Sequence, residues 1–147
     1  MKEIIDDFTF FPVGIFESTT EKDCERFISE YCSDNSGFHK YLNEKIVEKH
    51  ILVPELMQRS CINKNYGYNI LSGARKNPSR DRILALCIAA KMTLSEVQHS
   101  LIIAGQSILY WRDERDVRIA FAISAGICDV MRINIMLSEK GIAPLEV

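Results

Sequence analysis

Histidine, cysteine and paired carboxylates are the residues that most often carry catalysis or bind metals, and in this sequence they are scattered. His39, His50 and His99 have no metal-ligand spacing to one another or to any cysteine. The sequence contains neither a phosphate-binding glycine loop nor a nucleophile elbow. We therefore predict that the protein is not an enzyme and that it has no metal site and no cofactor.

The five cysteines are odd in number and include no Cys-x-x-Cys pair. Such a set is typical of free thiols in a reducing compartment. We interpret these cysteines as small residues of the core or the surface, and a role in redox sensing is the alternative. The cysteines are Cys24, Cys32, Cys61, Cys87 and Cys128.

The basic side chains are concentrated in the middle of the chain, although the net charge of the whole sequence is only −2. Residues 38–92 contain 10 basic and 4 acidic side chains, whereas residues 1–37 contain 3 and 9 and residues 93–147 contain 5 and 7. A basic segment between acidic ones is typical of a nucleic-acid-binding surface. A basic surface that binds an acidic protein would show the same asymmetry, so both alternatives stay open.

Length and hydropathy predict one domain, or one domain with an appendage. The chain has 147 residues, of which 47% are hydrophobic. No apolar run approaches the roughly 18 residues that span a bilayer. The N-terminus is acidic where a secretory signal would be basic. We therefore expect a cytoplasmic protein that does not associate with membranes.

Apolar residues at helical spacing and helix-cap signals predict an all-α fold. Phe38, Leu42 and Ile46 recur every four residues, and Thr93 with Glu96 forms a capping box. No stretch alternates apolar and polar residues between hairpin-spaced turns. The first of the five predicted bundle helices begins at residue 38, and the other four span about 53–59, 63–72, 79–90 and 93–105. Two further helices span about 113–125 and 129–140.

The acidic N-terminal region is predicted to be an arm followed by a short helix. Pro12 and Gly14 disfavour a long helix near its start, where four phenylalanines lie. Thr20 and Asp23 form a cap signal for a helix that continues to about Tyr31. The predicted units are the arm and helix at 1–37, the helical bundle at 38–105 and a helical extension at 106–147.

Two short helices joined by a three-residue turn within a five-helix bundle are typical of a helix-turn-helix fold. Over residues 38–104 the sequence resembles the Cro/cI-type (XRE) helix-turn-helix domain, and the Gly-x-x-x-x-Pro spacing from Gly73 to Pro78 is fairly specific for it. Residues 66–68 together with residues 78–81 also resemble a subgroup of bacterial regulators that have additional C-terminal helices. The resemblance implies a five-helix Cro/cI-like bundle and a sequence-specific transcriptional regulator that binds double-stranded DNA. The other matching positions are Leu56, Ile62, Ile70, Ser72 and Lys76.

The resemblance implies that the third helix of the bundle contacts base edges in the major groove. An Asn amide can bond adenine N6 and N7 together, Lys can donate to guanine, and Tyr can touch a thymine methyl group or a phosphate. Asn63 is equally well interpreted as a helix cap, and Tyr66 is expected in the core. The implied base-contacting residues are Asn63, Lys64, Asn65, Tyr68 and Asn69.

The loop after that helix is implied to lie beside the sugar-phosphate backbone. Its side chains would neutralise phosphates and position the protein without reading sequence. Arg82 is a further candidate, and a surface ion pair with Asp81 is an equal alternative for Arg80. The implied phosphate-contacting residues are Arg75, Lys76, Asn77 and Arg80.

The turn and the start of the second helix depart from the family pattern, and one glycine is unusual for a helix. Cys61 stands where the family usually has Gly in the turn, which predicts a strained backbone or an altered turn. Val53 and Pro54 begin the second helix where many relatives have a polar phosphate-contacting residue, so that contact is expected to be absent or made by backbone N–H groups. Gly67 costs a helix about 1 kcal/mol relative to Ala, so close approach of a neighbouring helix or backbone is expected there.

The two C-terminal helices are apolar nearly all round, at residues 117–123 and 130–137. Such surface either packs over the bundle or forms a dimer interface. We expect packing within the chain, some contact in a homodimer that reads two DNA half-sites, and a solvated first turn for the charged residues 112–116. The alternative function is a protein-interaction adaptor or an antitoxin-like protein, which would bind a partner through these helices or through the N-terminal arm.

Overall fold

A computed structural model describes residues 20–29 and 37–147 of the chain, and these residues form helices and connecting turns without any strand. The expectation of an all-α fold is thereby confirmed for this part of the chain. The N-terminal arm and the predicted end of the first helix near Tyr31 lie outside the described residues. The helices are α1 (Glu21–Phe27), α2 (Phe38–Glu48), α3 (Val53–Ser60), α4 (Lys64–Ser72), α5 (Arg80–Ala89), α6 (Leu94–Ile103), α7 (Glu114–Ser124) and α8 (Val130–Glu139).

The helix boundaries follow the predicted cap signals. Thr20 with Asp23 and Thr93 with Glu96 form complete capping boxes, in which side chain and backbone bond reciprocally. Helix α4 ends at Gly73, which adopts the left-handed conformation (φ +81°) that glycine accommodates without steric cost. The side chains of Ser79, Asp113 and Asp129 likewise cap α5, α7 and α8.

Helix α5 is the centre of the core, because its residues from 83 to 89 and its C-cap Ala90 are all buried. Residues on every side of this helix are buried, because α3, α6 and α8 all pack against it. Helix α8 also contacts α3 and α7, so the expected packing of the C-terminal helices within the chain is confirmed. Residues 38–105 and 106–147 share one hydrophobic core that extends from Phe38 to Leu145.

The hairpin of α5 and α6 and the hairpin of α7 and α8 are built on one plan. The side-chain amide of Gln98 in α6 bonds both the carbonyl oxygen and the N–H of Leu109 in the following loop, at 2.9 and 2.8 Å. The amide of Asn134 in α8 bonds the same two backbone groups of Leu145, at 3.3 and 2.8 Å. In each hairpin, a side-chain amide of the second helix therefore binds the backbone of the residue 11 positions later in the following loop.

Reciprocal ion pairs join the two hairpins, and Arg80 forms the first of them. Its guanidinium donates two hydrogen bonds to the Asp116 carboxylate, at 2.9 and 3.2 Å, and two more to the carbonyls of Ser107 and Ile108. The alternative of an Arg80–Asp81 ion pair does not form, because successive residues of a helix point in different directions. The expected solvated turn is also wrong in part, since Asp116 is buried.

Arg115 and Asp81 form the second pair, with the roles of the two hairpins exchanged. Arg115 donates to both carboxylate oxygens of Asp81, at 2.9 and 3.2 Å, and to the carbonyls of Ala143 and Pro144. Burial raises the pKa of Asp81, but hydrogen bonds from Arg115 and from the N–H of Glu146 outweigh it and hold that pKa below its usual value. Each hairpin thus provides an arginine for the aspartate of the other.

Glu96 connects α6 to α2 through two lysines. Its carboxylate oxygens lie 2.9 Å from the Nζ atoms of Lys45 and Lys49, and one of them accepts the N–H of Thr93 at 2.8 Å. Burial raises the pKa of Glu96, yet these hydrogen bonds outweigh that effect and lower the pKa to about 2. Because the folded pKa lies below the ordinary value of 4.5, the ionised carboxylate stabilises the fold above about pH 4.5, and this contribution is lost as the pH falls towards 2.

We expect Glu96→Gln to lower the free energy of unfolding by about 1–2 kcal/mol at pH 6 and to have a much smaller effect near pH 2. Urea unfolding at the two pH values measures the difference. Glu48→Gln is the matched control, because Glu48 pairs with Lys45 alone and its side chain is 62% exposed. Equal losses for Glu96→Gln at both pH values would show that its charge does not stabilise the fold.

Candidate nucleic-acid interface

Helices α3 and α4 are joined by residues 61–63, and the turn between them is tightly held. The Ser60 hydroxyl donates to the Met57 carbonyl and accepts the N–H of Ile62, whose side chain is buried. Gly67 in α4 faces Met57 of α3 so closely that a Cβ atom would overlap the methionine side chain. The expected close approach of a neighbouring helix at Gly67 is confirmed.

Cys61 has a positive φ of 59°, in the left-handed region that disfavours side chains with a Cβ. The strained backbone predicted at this position is therefore present. Cys61 is exposed, but neighbouring atoms exclude part of the water around its thiol, and this desolvation raises the pKa of the thiol. By contrast, Cys87 is fully buried in α5, and desolvation raises its thiol pKa to about 12, as suits a core residue.

Cys61→Gly should raise the free energy of unfolding by about 0.5–1 kcal/mol, because glycine removes the left-handed strain at some cost in unfolded-state entropy. Thermal or urea unfolding measures the gain. Cys61→Ala keeps the Cβ atom and serves as the control that should show no such gain. A stability of Cys61→Gly equal to that of Cys61→Ala would mean that the turn carries no strain.

The exposed face of α4 carries four of the five predicted base-contacting residues. Lys64, Asn65, Tyr68 and Asn69 are all exposed and fall on one side of the helix, since residues four apart stack on the same face. Gly67 and Ile70 point the other way and are buried. The structure therefore brings these four polar side chains together on one solvent-facing strip.

Asn63, the fifth predicted base contact, is the N-cap of α4. Its Oδ1 atom accepts the N–H groups of Asn65 and Tyr66, at 3.0 and 3.4 Å. A bidentate contact with adenine needs both the oxygen and the nitrogen of the amide, and here the oxygen is used by the helix. The cap interpretation of Asn63 is the one that the geometry supports.

The loop after α4 places three of the four predicted phosphate-contacting residues at the surface. Arg75, Lys76 and Asn77 are exposed, and the N–H of Arg75 donates to the carbonyl of Asn69 at 2.9 Å. That bond ties the loop to the end of the exposed strip on α4. Arg80 is not available in the same way, because its guanidinium is bonded to Asp116 and to two carbonyls.

Tyr66 links the loop to α5 through two arginines. The guanidinium carbons of Arg75 and Arg82 lie 4.8 and 4.2 Å from the centre of its ring, and Arg82 also donates to its hydroxyl at 3.3 Å. The Tyr66 ring is only partly buried against the core, although the sequence predicts that Tyr66 lies in the core. No spacing in the sequence indicates this cluster, because its members lie 9 and 16 residues from Tyr66.

Charge on this surface has a single sign. The sequence contains no acidic residue from 56 to 80, whereas Lys64, Arg75 and Lys76 are all exposed there. The start of α3 differs, because Pro54 has no N–H donor and the first turn carries the exposed carboxylate of Glu55. The cations that an anionic partner would meet therefore come from α4 and the loop after it.

The described ranges, 20–29 and 37–147, contain no group of three or more histidine, cysteine or acidic side chains that could hold a metal ion. None of their helices combines the length and hydrophobicity needed to cross a bilayer. The sequence matches no family model, no curated protein and no solved structure.

Proposed function

We propose that this protein binds double-stranded DNA in a sequence-specific way, as a transcriptional regulator of the Cro/cI helix-turn-helix type. The observation that carries the proposal is the strip of Lys64, Asn65, Tyr68 and Asn69 on α4, continuous with the basic loop at 75–77 and free of acidic residues. Helices α2 to α6 would be the five helices of the binding domain. Helix α4 would enter the major groove, as second helices of such motifs do.

The residues of the strip differ in the information they would read. The amides of Asn65 and Asn69 have the donor and acceptor needed for adenine, and Lys64 is a donor suited to guanine. Tyr68 is 41% exposed and offers both a ring for a thymine methyl group and a hydroxyl for a phosphate. These four side chains would supply the sequence preference.

The loop would supply affinity and orientation. Lys76 would neutralise a phosphate as a flexible point charge, and Arg75 would do so from a position restrained by the Tyr66 ring. Asn77 adds an amide donor beside them. Arg80 is not included among the phosphate contacts, because it pairs with Asp116 and joins the α5–α6 hairpin to the α7–α8 hairpin.

The proposal is tested by selection from a randomised duplex library on the purified full chain, with retained DNA measured at about 50 and 200 mM salt. Specific binding predicts an enriched motif and a loss of retention by orders of magnitude between the two salt concentrations. A folded protein that retains no DNA at the lower salt concentration would overturn the proposal. That result would favour the alternative of a protein-interaction adaptor.

A further inference from the structure

The α5–α6 hairpin and the α7–α8 hairpin differ on one face. In the first hairpin this face is covered by other helices, and in the second it is open to solvent. In the first hairpin α3 lies along α5, and Arg59 of α3 donates two hydrogen bonds to the Ala89 carbonyl near the end of α5. Leu86 in the middle of α5 is fully buried. The matching Arg-Asp pairs at 80–81 and 115–116 align Leu86 with Phe121 of α7, which is 73% exposed.

The second helices of the two hairpins show the same contrast. The loop-binding amides of Gln98 and Asn134 align Ser100 of α6 with Met136 of α8. Ser100 is fully buried, whereas Met136 is 39% exposed. A polar residue on the covered face is thus replaced by an apolar one on the open face, which is the reverse of what solvent exposure favours.

Phe121 and Met136 belong to one groove between α7 and α8, with a volume of about 680 Å³. Its apolar lining includes the buried side chains of Ala122, Ile133 and Leu137. Phe121 stands beside the groove as a large exposed ring, so the same surface has both a projection and a recess. Such a surface is able to fit a second copy of itself about a two-fold axis.

The charges around the groove favour the same occupant. Glu114 and Arg118 lie on α7, and Glu139 and Lys140 lie at the end of α8, so the rim carries two charges of each sign. A balanced rim attracts neither DNA nor a strongly charged peptide. In a two-fold arrangement each cation of one copy has a carboxylate of the other copy available to it, and like charges need not meet.

We infer that the protein forms a symmetric homodimer through the α7–α8 face, with Phe121 of each copy seated in the groove of the other. The first hairpin has its cover within the chain, with α3 on α5 and α2 on α6, and the second hairpin obtains its cover from a second copy. Aromatic residues at the centre of an interface commonly contribute most of its binding energy. This inference does not depend on DNA binding.

The test is the oligomeric state of the full chain without DNA, measured by sedimentation or by light scattering from about 1 to 100 μM. We expect a dimer whose dissociation constant rises about 30-fold or more in Phe121→Asp. Val47→Asp is the matched control, because Val47 is an apolar residue of α2 with 75% exposure, and it should leave the dimer intact.

Circular dichroism of both variants shows whether they are folded, and Met136→Asp provides a second substitution in the same groove. A wild-type chain that stays monomeric throughout this range would overturn the inference. So would a dimer that Phe121→Asp and Met136→Asp do not weaken, because it would use another surface. Since no DNA is present, neither result bears on the proposed DNA binding.

Discussion

Asp116→Ala should lower the free energy of unfolding by about 3–5 kcal/mol, the usual cost of removing one partner of a buried ion pair. The carboxylate accepts two hydrogen bonds from Arg80 and a third from the N–H of Tyr110 at 2.9 Å. Without it, the Arg80 guanidinium, whose side chain is only 21% exposed, loses the carboxylate to which it is bonded. The loss would be a large part of the 5–15 kcal/mol that stabilises a typical domain.

Urea unfolding of the wild type and the variant measures this loss as a lower midpoint. Glu114→Gln is the matched control on the same helix turn, because the Glu114 side chain is 69% exposed and its pair with Arg118 should contribute less than about 1 kcal/mol. Replacing both partners, as in Arg80→Met with Asp116→Leu, should recover most of the lost stability. A loss for Asp116→Ala no larger than that for Glu114→Gln would show that the pair does not hold the hairpins together.

The helices were predictable because most of them carry local start or stop signals. A capping box such as Thr93 with Glu96 acts within one turn, and the structure starts α6 where the sequence predicts it. The stop of α4 at Gly73 is equally local, since glycine accommodates the left-handed backbone found there. Local signals of this kind determine the elements and say little about which elements meet.

The reciprocal ion pairs were not predictable in the same way, because their partners lie 34 to 36 residues apart. Adjacent in sequence, Arg80 and Asp81 suggest a pair with each other, whereas the fold assigns each of them to the other hairpin. A signal for the repeated hairpin was present in the sequence. The Arg-Asp pair recurs at 115–116, and Gly105 recurs as Gly141.

The all-round burial of α5 also had a signal. Residues 83–90 are apolar without interruption, and a helix that is apolar on every side is a central helix. The candidate site divides in a similar way. The exposed strip on α4 follows from helical spacing, while the pairing of Tyr66 with Arg75 and Arg82 depends on how the loop and α5 meet.

Asn69→Ala and Lys76→Ala should have different effects on DNA binding, because an amide can read a base and a flexible ammonium group cannot. For Asn69→Ala we expect a loss of about 1–3 kcal/mol of discrimination at one base pair of the enriched motif. For Lys76→Ala we expect weaker binding to all duplexes by a similar factor, and a slope of log K against log salt reduced by about 1.

Titrations of each variant with the enriched motif, with single-base variants of it and with a scrambled duplex, at several salt concentrations, measure both quantities. Lys91→Ala is the control for loss of a positive charge, because Lys91 is exposed just after α5, at the end of that helix opposite the loop. It should leave both the base preference and the salt slope unchanged. If Asn69→Ala weakens all duplexes equally, α4 does not read bases at that position; a salt slope unaffected by Lys76→Ala would remove the loop from the phosphate contacts.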